Sequence, residues 1–349
     1  MKFLLSVLGA ALLLTLPTVA LGVPSHVCDK NPSHPKCVTT TPVPSASPSP
    51  TPTPTATATA APTPTVPATP SATATPTPSP TATPTAPPTR LYGASIYHKR
   101  TADLDLAVAA GLNTVRIVNW IDGSTNPYEE SRWSLVDSLV AGARSRGLNV
   151  LLDLSTYRNH LLNRGFNPYT VDWRPMLDFV DARYDASEVA WLSLAGEVEA
   201  PNGGATNKPT TAQLTNFFTT AGTYWRSIST IPVQSGGLLH YGWNSGIDWR
   251  AIFDALRVCS VHVYSEGDIN ALPTIDQFCD SRGYPMFLEE FGRPIGDGDS
   301  TRAAYYQRIY DLSRGWDVLF WNLGPETNTG SHDVNQSHPL TWETVTRNR

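Results

Sequence analysis

Residues 90–349 predict an α/β fold, a (β/α)8 barrel. Three observations carry that expectation. Short apolar runs alternate with longer segments whose apolar residues recur three and four apart, the mark of strands and amphipathic helices in alternation. Eight such runs occur, and a βα unit repeated eight times closes a parallel sheet on itself. The stretch also has the length of such a barrel, for which about 250 residues is typical.

The runs, in order, are "LYGASI" (91–96), "NTVRIV" (113–118), "NVLLDL" (149–154), "VAWLSL" (189–194), "IPVQS" (231–235), "VCSVHVY" (258–264), "PMFLEE" (285–290) and "VLFWN" (318–322). Segments such as "RWSLVDSLVAGARSRG" and "TRAAYYQRIYDLSRG" lie between them and end at Gly, as helices commonly do. "AGLNTVRI", "RGLNVLLDL" and "SRGYPMFLEE" repeat one transition from helix through Gly to strand.

The first 89 residues are different material. Residues 1–22 read as a secretory signal: Lys2, the apolar "FLLSVLGAALLLTL", then Ala20 and Gly22 as the small residues before a cut. Pro17 and the polar chain beyond it disfavour a membrane anchor, and no Cys follows the cut to carry a lipid. In 23–37, Cys28 and Cys37 bracket "DKNPSHPK". In an exported chain that spacing predicts a local disulfide, with a metal site including His26 and His34 as the weaker reading. Residues 38–89 hold only small, polar and Pro residues, with no charge and no aromatic. They cannot bury enough apolar area to offset chain entropy and predict an extended spacer.

The net charge is −5 at pH 7, and the acids concentrate in 90–349, because residues 1–89 hold Lys2, Lys30 and Lys36 against Asp29 alone. No basic patch stands out, which disfavours nucleic acid and polyanions as partners. Cys259 opens the sixth run and Cys279 falls near the end of the helix after it. Both points lie at the bottom of a barrel, so a structural disulfide remote from any chemistry is expected, with a reduced buried pair as the alternative.

Strand side chains alternate, so parity separates two faces. One face is aliphatic: Val115 and Ile117, Val150 and Leu152, Leu192 and Leu194, Val261 and Val263, Phe320. The other carries Arg116, Asp153, Glu197, His262, Tyr264 and Trp321, all near the C-terminal ends of their strands, where β/α barrels keep their active sites. In "PMFLEEFGRP" parity groups Met286, Leu288 and Glu290 against Phe287, Glu289 and Phe291. Glu290 is expected at the mouth and Glu289 outward, against a structural partner such as an Arg.

Two carboxyls at one barrel mouth suit glycosidic bond cleavage. In retaining enzymes they stand about 5–5.5 Å apart, as nucleophile and acid/base, and in inverting ones about 6.5–9.5 Å. Glu197 and Glu290 are the pair that could converge there; the acid/base needs a raised pKa and the nucleophile a low one, so their surroundings must differ. Arg116 would keep Glu290 ionised, Tyr264 would donate to it, and Trp321 would floor a sugar ring.

The same residues resemble clan A of the glycoside hydrolases, and within it family 5, strand by strand across 90–349. "TVRI" looks like its strand-two arginine motif (Arg116), and "LSLAGEVEAP" like its strand-four Leu-Ala-Asn-Glu-Pro motif, which makes Glu197 the acid/base. "VHVYS" looks like the strand-six His-x-Tyr motif (His262, Tyr264). "FLEEFG" is similar to the strand-seven motif whose second Glu is the nucleophile, Glu290. "LFWNLG" looks like the strand-eight tryptophan motif (Trp321). The resemblance implies a retaining enzyme that needs no metal and no cofactor. Strands seven and eight look more like β-mannanases than cellulases, which implies an endo-β-1,4-mannanase, with an endo-β-1,4-glucanase as rival. A non-catalytic carbohydrate-binding barrel is the rival of another class.

One position departs from the family. Gly196 stands where the family has Asn, a contact to the 2-hydroxyl of the sugar at the cleavage point. Another residue substitutes, the chain belongs to another clan A family, or activity is weakened or lost; Glu199, of the same parity as Glu197, is a fallback acid. "VEAP" also lacks Pro directly after the acid.

Loop aromatics Trp120, Tyr157, Tyr241 and Trp243 are candidates to stack on sugars, and His160 and His240 to hydrogen-bond hydroxyls. "GDGDS" (296–300) lacks a full calcium ligand spacing and reads as a solvated turn. The polar loop 326–339 lies on the active-site side. The expected partner is a β-linked polysaccharide or oligosaccharide, met outside the cell by a monomer that leaves the membrane once its signal is removed.

Overall fold

A computed structural model describes residues 90–98, 100–119, 121, 123–199, 208–238, 246–325 and 331–348. The proposed signal, the Cys28–Cys37 pair and the spacer lie outside those residues, as do Trp120, His240, Tyr241 and Trp243.

All eight expected strands are present: β1 (Tyr92–Ser95), β2 (Thr114–Val118), β3 (Asn149–Asp153), β4 (Trp191–Ser193), β5 (Val233–Gln234), β6 (Cys259–Val263), β7 (Met286–Phe291) and β8 (Asp317–Phe320). The described helices are α1 (Thr101–Ala109), α2 (Glu130–Ser145), α3 (Ser155–Asn163), α4 (Arg174–Arg183), α5 (Thr211–Ile228), α6 (Trp249–Leu256), α7 (Glu266–Arg282), α8 (Asp299–Leu312) and α9 (Pro339–Arg347). The strands are parallel in the order β5-β4-β3-β2-β1-β8-β7-β6. The remaining edge is bridged by Leu238, which pairs with Val261, donates to the Ser260 carbonyl at 3.0 Å and accepts from His262 N–H at 2.7 Å. The arrangement is a nearly closed barrel consistent with (β/α)8.

Local chemistry explains the outer helices. α5 opens with a capping box: the Thr210 hydroxyl accepts from Gln213 N–H, and the Gln213 side chain accepts from Thr210 N–H. Its buried Leu214, Phe217, Phe218, Ala221 and Trp225 form one stripe against the sheet. Ser265 and Asp268 cap α7 in the same way. A disulfide joins Cys259 to Cys279, tying the start of β6 to α7 across a Cα separation of 6.3 Å, as the barrel frame predicts. The acids of "GDGDS" serve structure: Asp297 pairs with Arg293 at 3.1 Å, and Asp299 accepts from the Leu340 and Thr341 N–H groups that begin α9. No helix among the described residues is long and apolar enough to cross a membrane.

Inside, Leu91, Leu151, Trp191, Val258, Phe287 and Leu319 fill the barrel floor, with Trp191 and Phe287 rings 4.6 Å apart. The placement of Phe287 corrects one parity expectation. Phe287 and Glu289 point into the barrel, and Leu288 packs outward into the main core. The pairing of β6 with β7 supplies the reason. Val261 pairs with Leu288, but His262 pairs with Glu290, so Glu289 is the extra residue of a bulge. One added residue flips the alternation. Glu290 therefore also faces inward, and Phe291 turns out onto Tyr306, Tyr310 and Phe320.

Candidate active site

Arg116, buried at the C-terminal half of β2, organises the barrel mouth. Its Nη1 donates to Glu290 Oε1 and, at 3.1 Å, to Ser95 Oγ, while Nη2 donates to Asp153 Oδ2. Its Nε forms a 2.9 Å ion pair with Glu289 Oε1. Burial opposes the guanidinium charge, but Asp153, Glu290 and Glu289 outweigh it and hold its pKa up. The Tyr264 hydroxyl donates to Glu290 Oε2 at 2.7 Å. Burial and the charges of Glu290 and Glu197 push that phenol well up, so it remains a donor. Glu290 thus has a donor on each oxygen, both of the kind that strengthens with charge.

The two adjacent glutamates differ in surroundings. Glu289 is sealed, and its oxygens accept from Ser193 Oγ at 2.6 Å and Ser260 Oγ at 3.1 Å. Burial, with Asp153 nearby, pushes its carboxyl up against the pull of Arg116. The Glu290 side chain keeps 9% exposure at the open end.

Glu197 lies on a turn just past β4, at φ 52°, in the left-handed region. A non-Gly residue there costs of order 1–3 kcal/mol and persists only where its surroundings over-determine it. Here they do. Gly196 N–H donates to Ser155 Oγ at 2.7 Å, and Arg158 Nη1 donates to the Gly196 carbonyl. Glu197 N–H donates to the Gly237 carbonyl at 2.8 Å, and the Tyr169 hydroxyl donates to the Val198 carbonyl at 2.9 Å.

This packing also accounts for Gly196. A Cβ at 196 would run into the Gly236 carbonyl oxygen and stand 3.1 Å from Ser155 Oγ. The turn holds no room for the Asn of the family pattern. Gly237, at φ 85°, is likewise constrained, since a Cβ there would overlap the His262 ring.

His262 sits between the two candidate carboxylates. Its Nδ1 is 3.0 Å from Glu197 Oε1 and 3.4 Å from Glu290 Oε2. Burial pushes the imidazole down, but Glu290 and Glu197 outweigh it and bring its pKa up to about 9. The three atoms lie within 4.8 Å of one another. One oxygen of each carboxylate thus lies within 4.8 Å of the other, a closeness in keeping with the retaining separation of about 5–5.5 Å. By spacing alone the three groups could hold a metal ion; a ligating His must be neutral, whereas the two carboxylates here favour the protonated imidazole. Glu197 departs from expectation: burial pushes its carboxyl up, yet His262, Arg158 and Arg116 together bring it below the usual range. The adjacent imidazolium is the cause.

Trp321 is half-buried at the mouth, its ring centroid 5.8 Å from the Arg116 guanidinium carbon. Tyr97, 46% exposed, meets it at 5.2 Å. Sequence reading missed Tyr97, although it continues the inward parity of Ser95. It also missed Arg158, and His332, whose ring lies 5.4 Å from that of Tyr264 and which no periodicity marks in its polar loop. His160 and Tyr157 are corrections. Both are buried on α3, stacked at 6.1 Å, with Tyr157 edge-on to Trp173, so they pack the wall instead of offering themselves to a sugar. Their helical periodicity turns them inward. Glu199 is also buried, away from the Arg116 cluster, beside Tyr169.

Among solved structures, the chain is similar to the endo-β-1,4-mannanase from Thermotoga petrophila (16% identity, 74% of this chain and 76% of that one, TM-score 0.57). It is similar to the endo-1,4-β-mannanase from Rhizomucor miehei (17%, 76% and 95%, TM-score 0.56). A third is Thermotoga maritima Cel5A in complex with cellobiose (15%, 73% and 97%, TM-score 0.55). At these identities the likeness carries the fold. No curated protein matches the sequence. Residues 73–327 match the family described as Cellulase (glycosyl hydrolase family 5), and with most of the chain inside that match, the protein belongs to glycoside hydrolase family 5.

Proposed function

We propose that the protein is an exported retaining β-glycan hydrolase whose main reaction is endo-hydrolysis of β-1,4-mannan. The carrying observation is the pair Glu197 and Glu290, with atoms within 4.8 Å around His262 and with Glu290 held by Arg116 and Tyr264. Glu290, held by Arg116 and Tyr264, attacks the anomeric carbon as the bond to the leaving oxygen breaks. Glu197 gives that oxygen its proton. Glu197 then takes a proton from water, whose oxygen attacks the same carbon and releases Glu290. Glu197 is 31% exposed in the free site, and a sugar over the mouth strips its remaining water, a change that favours the protonated acid.

The mannan preference rests on the "FLEEFG" and "LFWNLG" forms. A β-1,4-glucanase is the second reading, favoured by the likeness to Cel5A, whose structure holds cellobiose. A silent carbohydrate-binding barrel loses its main support, because packing against Gly236 gives Gly196 a steric reason. Export rests on the character of residues 1–22.

The test is reducing-sugar release by the full chain on β-mannan, soluble cellulose and xylan, beside Glu290→Ala. Release from β-mannan that falls roughly 10⁴-fold or more in the variant is expected. Release that survives the substitution moves the nucleophile elsewhere. A folded protein that releases nothing from any of the three overturns the reading.

A further inference from the structure

Glu197 owes its direction to a turn that its own backbone disfavours, and one wall of that turn is α3. Ser155 and Arg158 lie three apart on this helix, hence on one face. They grip the same residue: Ser155 Oγ takes Gly196 N–H at 2.7 Å, and Arg158 gives an N–H to the Gly196 carbonyl. Arg158 is itself fixed, only 3% exposed, with Nε and Nη2 donating to Asn159 Oδ1 at 3.2 and 3.0 Å. The missing side chain at 196 is what lets the turn wedge between α3 and Gly236.

We propose that Arg158 is a positioning residue for Glu197, clamping the Gly196 carbonyl so that the left-handed turn aims the carboxyl across the barrel mouth at Glu290. The proposal rests on the reading of Glu197 as acid/base. A neutral donor would satisfy a buried carbonyl equally well. A guanidinium also places a fixed positive charge near Glu197, one of the charges that lower its proton affinity. Arg158 touches no reacting atom, so its effect should fall on the two steps that use Glu197, the proton given to the leaving oxygen and the proton taken from water, and kcat/KM reads the first of them.

The experiment compares kcat/KM on the polymer the protein cleaves with kcat/KM on 2,4-dinitrophenyl β-mannobioside and β-cellobioside. Dinitrophenolate leaves without a proton. Arg158→Met should lower kcat/KM on the polymer about 100-fold, within the usual share of general acid catalysis, and on the dinitrophenyl glycoside less than about threefold. Its alkaline limb on the polymer should move to higher pH, because a charge that favours the ionised carboxyl is gone, and Arg158→Lys should move it back. Ser155→Ala removes no buried charge and should show the same selectivity at about tenfold; it decides the matter if Arg158→Met does not fold. Equal losses on both substrates, or no loss in folded variants, overturn the proposal. Glu197→Ala separates the two claims. If it lacks the leaving-group selectivity, the reading of Glu197 fails and takes this inference with it. If it shows the selectivity and the α3 variants do not, only the role of Arg158 fails. A wild-type chain that cleaves neither glycoside nor polymer overturns both.

Discussion

Arg116 and Glu289 form a 2.9 Å ion pair inside the barrel, both closed to solvent. Phe287 also points into the barrel, so strict alternation along β7 keeps Glu289 inside and would have turned Glu290 outward; the bulge opposite Val261 and His262 brings Glu290 in beside it. Adjacent glutamates thus share one guanidinium, and only Glu290 reaches the mouth.

Glu289→Ala should therefore destabilise the fold by about 3–5 kcal/mol, since it leaves Arg116 short of a buried partner and two serine hydroxyls without an acceptor. Glu289→Gln keeps the shape, and because the carboxyl is pushed toward its neutral form, it should lose only about 1 kcal/mol. Urea unfolding checks both values. Equal losses would mean the charge of Glu289 is what matters.

Gly196→Asn restores the family residue in sequence but should not restore a family-like site. Its Cβ meets the Gly236 carbonyl, so the turn must shift. A loss of about 1–3 kcal/mol in stability is expected, as for overpacking, along with a lower kcat. A variant more active than the native chain would show that the turn yields freely and that Gly196 has no steric cause.

Stability should depend on pH through His262. Its pKa is raised to about 9 in the fold, where Glu197, Glu290 and Glu289 surround it. Raised affinity means the folded state holds the proton more tightly than the unfolded chain. The contribution is full below about pH 6.5 and is lost as pH rises through about 9. It amounts to as much as about 3 kcal/mol. Melting temperatures of the wild type should fall across that window, and those of His262→Gln should lose most of the slope. Parallel curves would place the proton elsewhere.

The Cys259–Cys279 disulfide closes a loop of sequence separation 20 at the start of β6, away from the strand ends that carry Glu197 and Glu290. Replacing both cysteines with alanine should lower stability by about 3 kcal/mol and leave kcat within about twofold, measured by thermal melts and initial rates. A large fall in kcat would mean that this end of β6 governs His262.

Much of the site was legible from alternation alone. Arg116, Asp153, His262, Tyr264 and Trp321 were placed by parity at strand ends, and the structure gathers all five around Glu290 or its immediate partners. Tyr97 was equally accessible, two residues beyond Ser95, had the parity of β1 been carried past its end. His160 and Tyr157 do not follow from strand alternation, because the chain enters α3 directly after β3 and helical periodicity buries them.

The sequence by itself determined the eight-strand frame and the face on which most of the polar residues lie, and its motifs carried the resemblance to the family. The frame and the face follow from a local period, which a chain carries with it before it folds. Only the tertiary structure decided that Glu289 joins Glu290 inside, that Glu197 sits in a left-handed turn, that Gly196 has no room for a side chain and that Arg158 holds that turn. These depend on what a neighbouring strand or helix presents at contact distance: the skipped pairing with β6, the Gly236 carbonyl, the Arg158 guanidinium. No periodicity along one segment encodes what another segment will press against it.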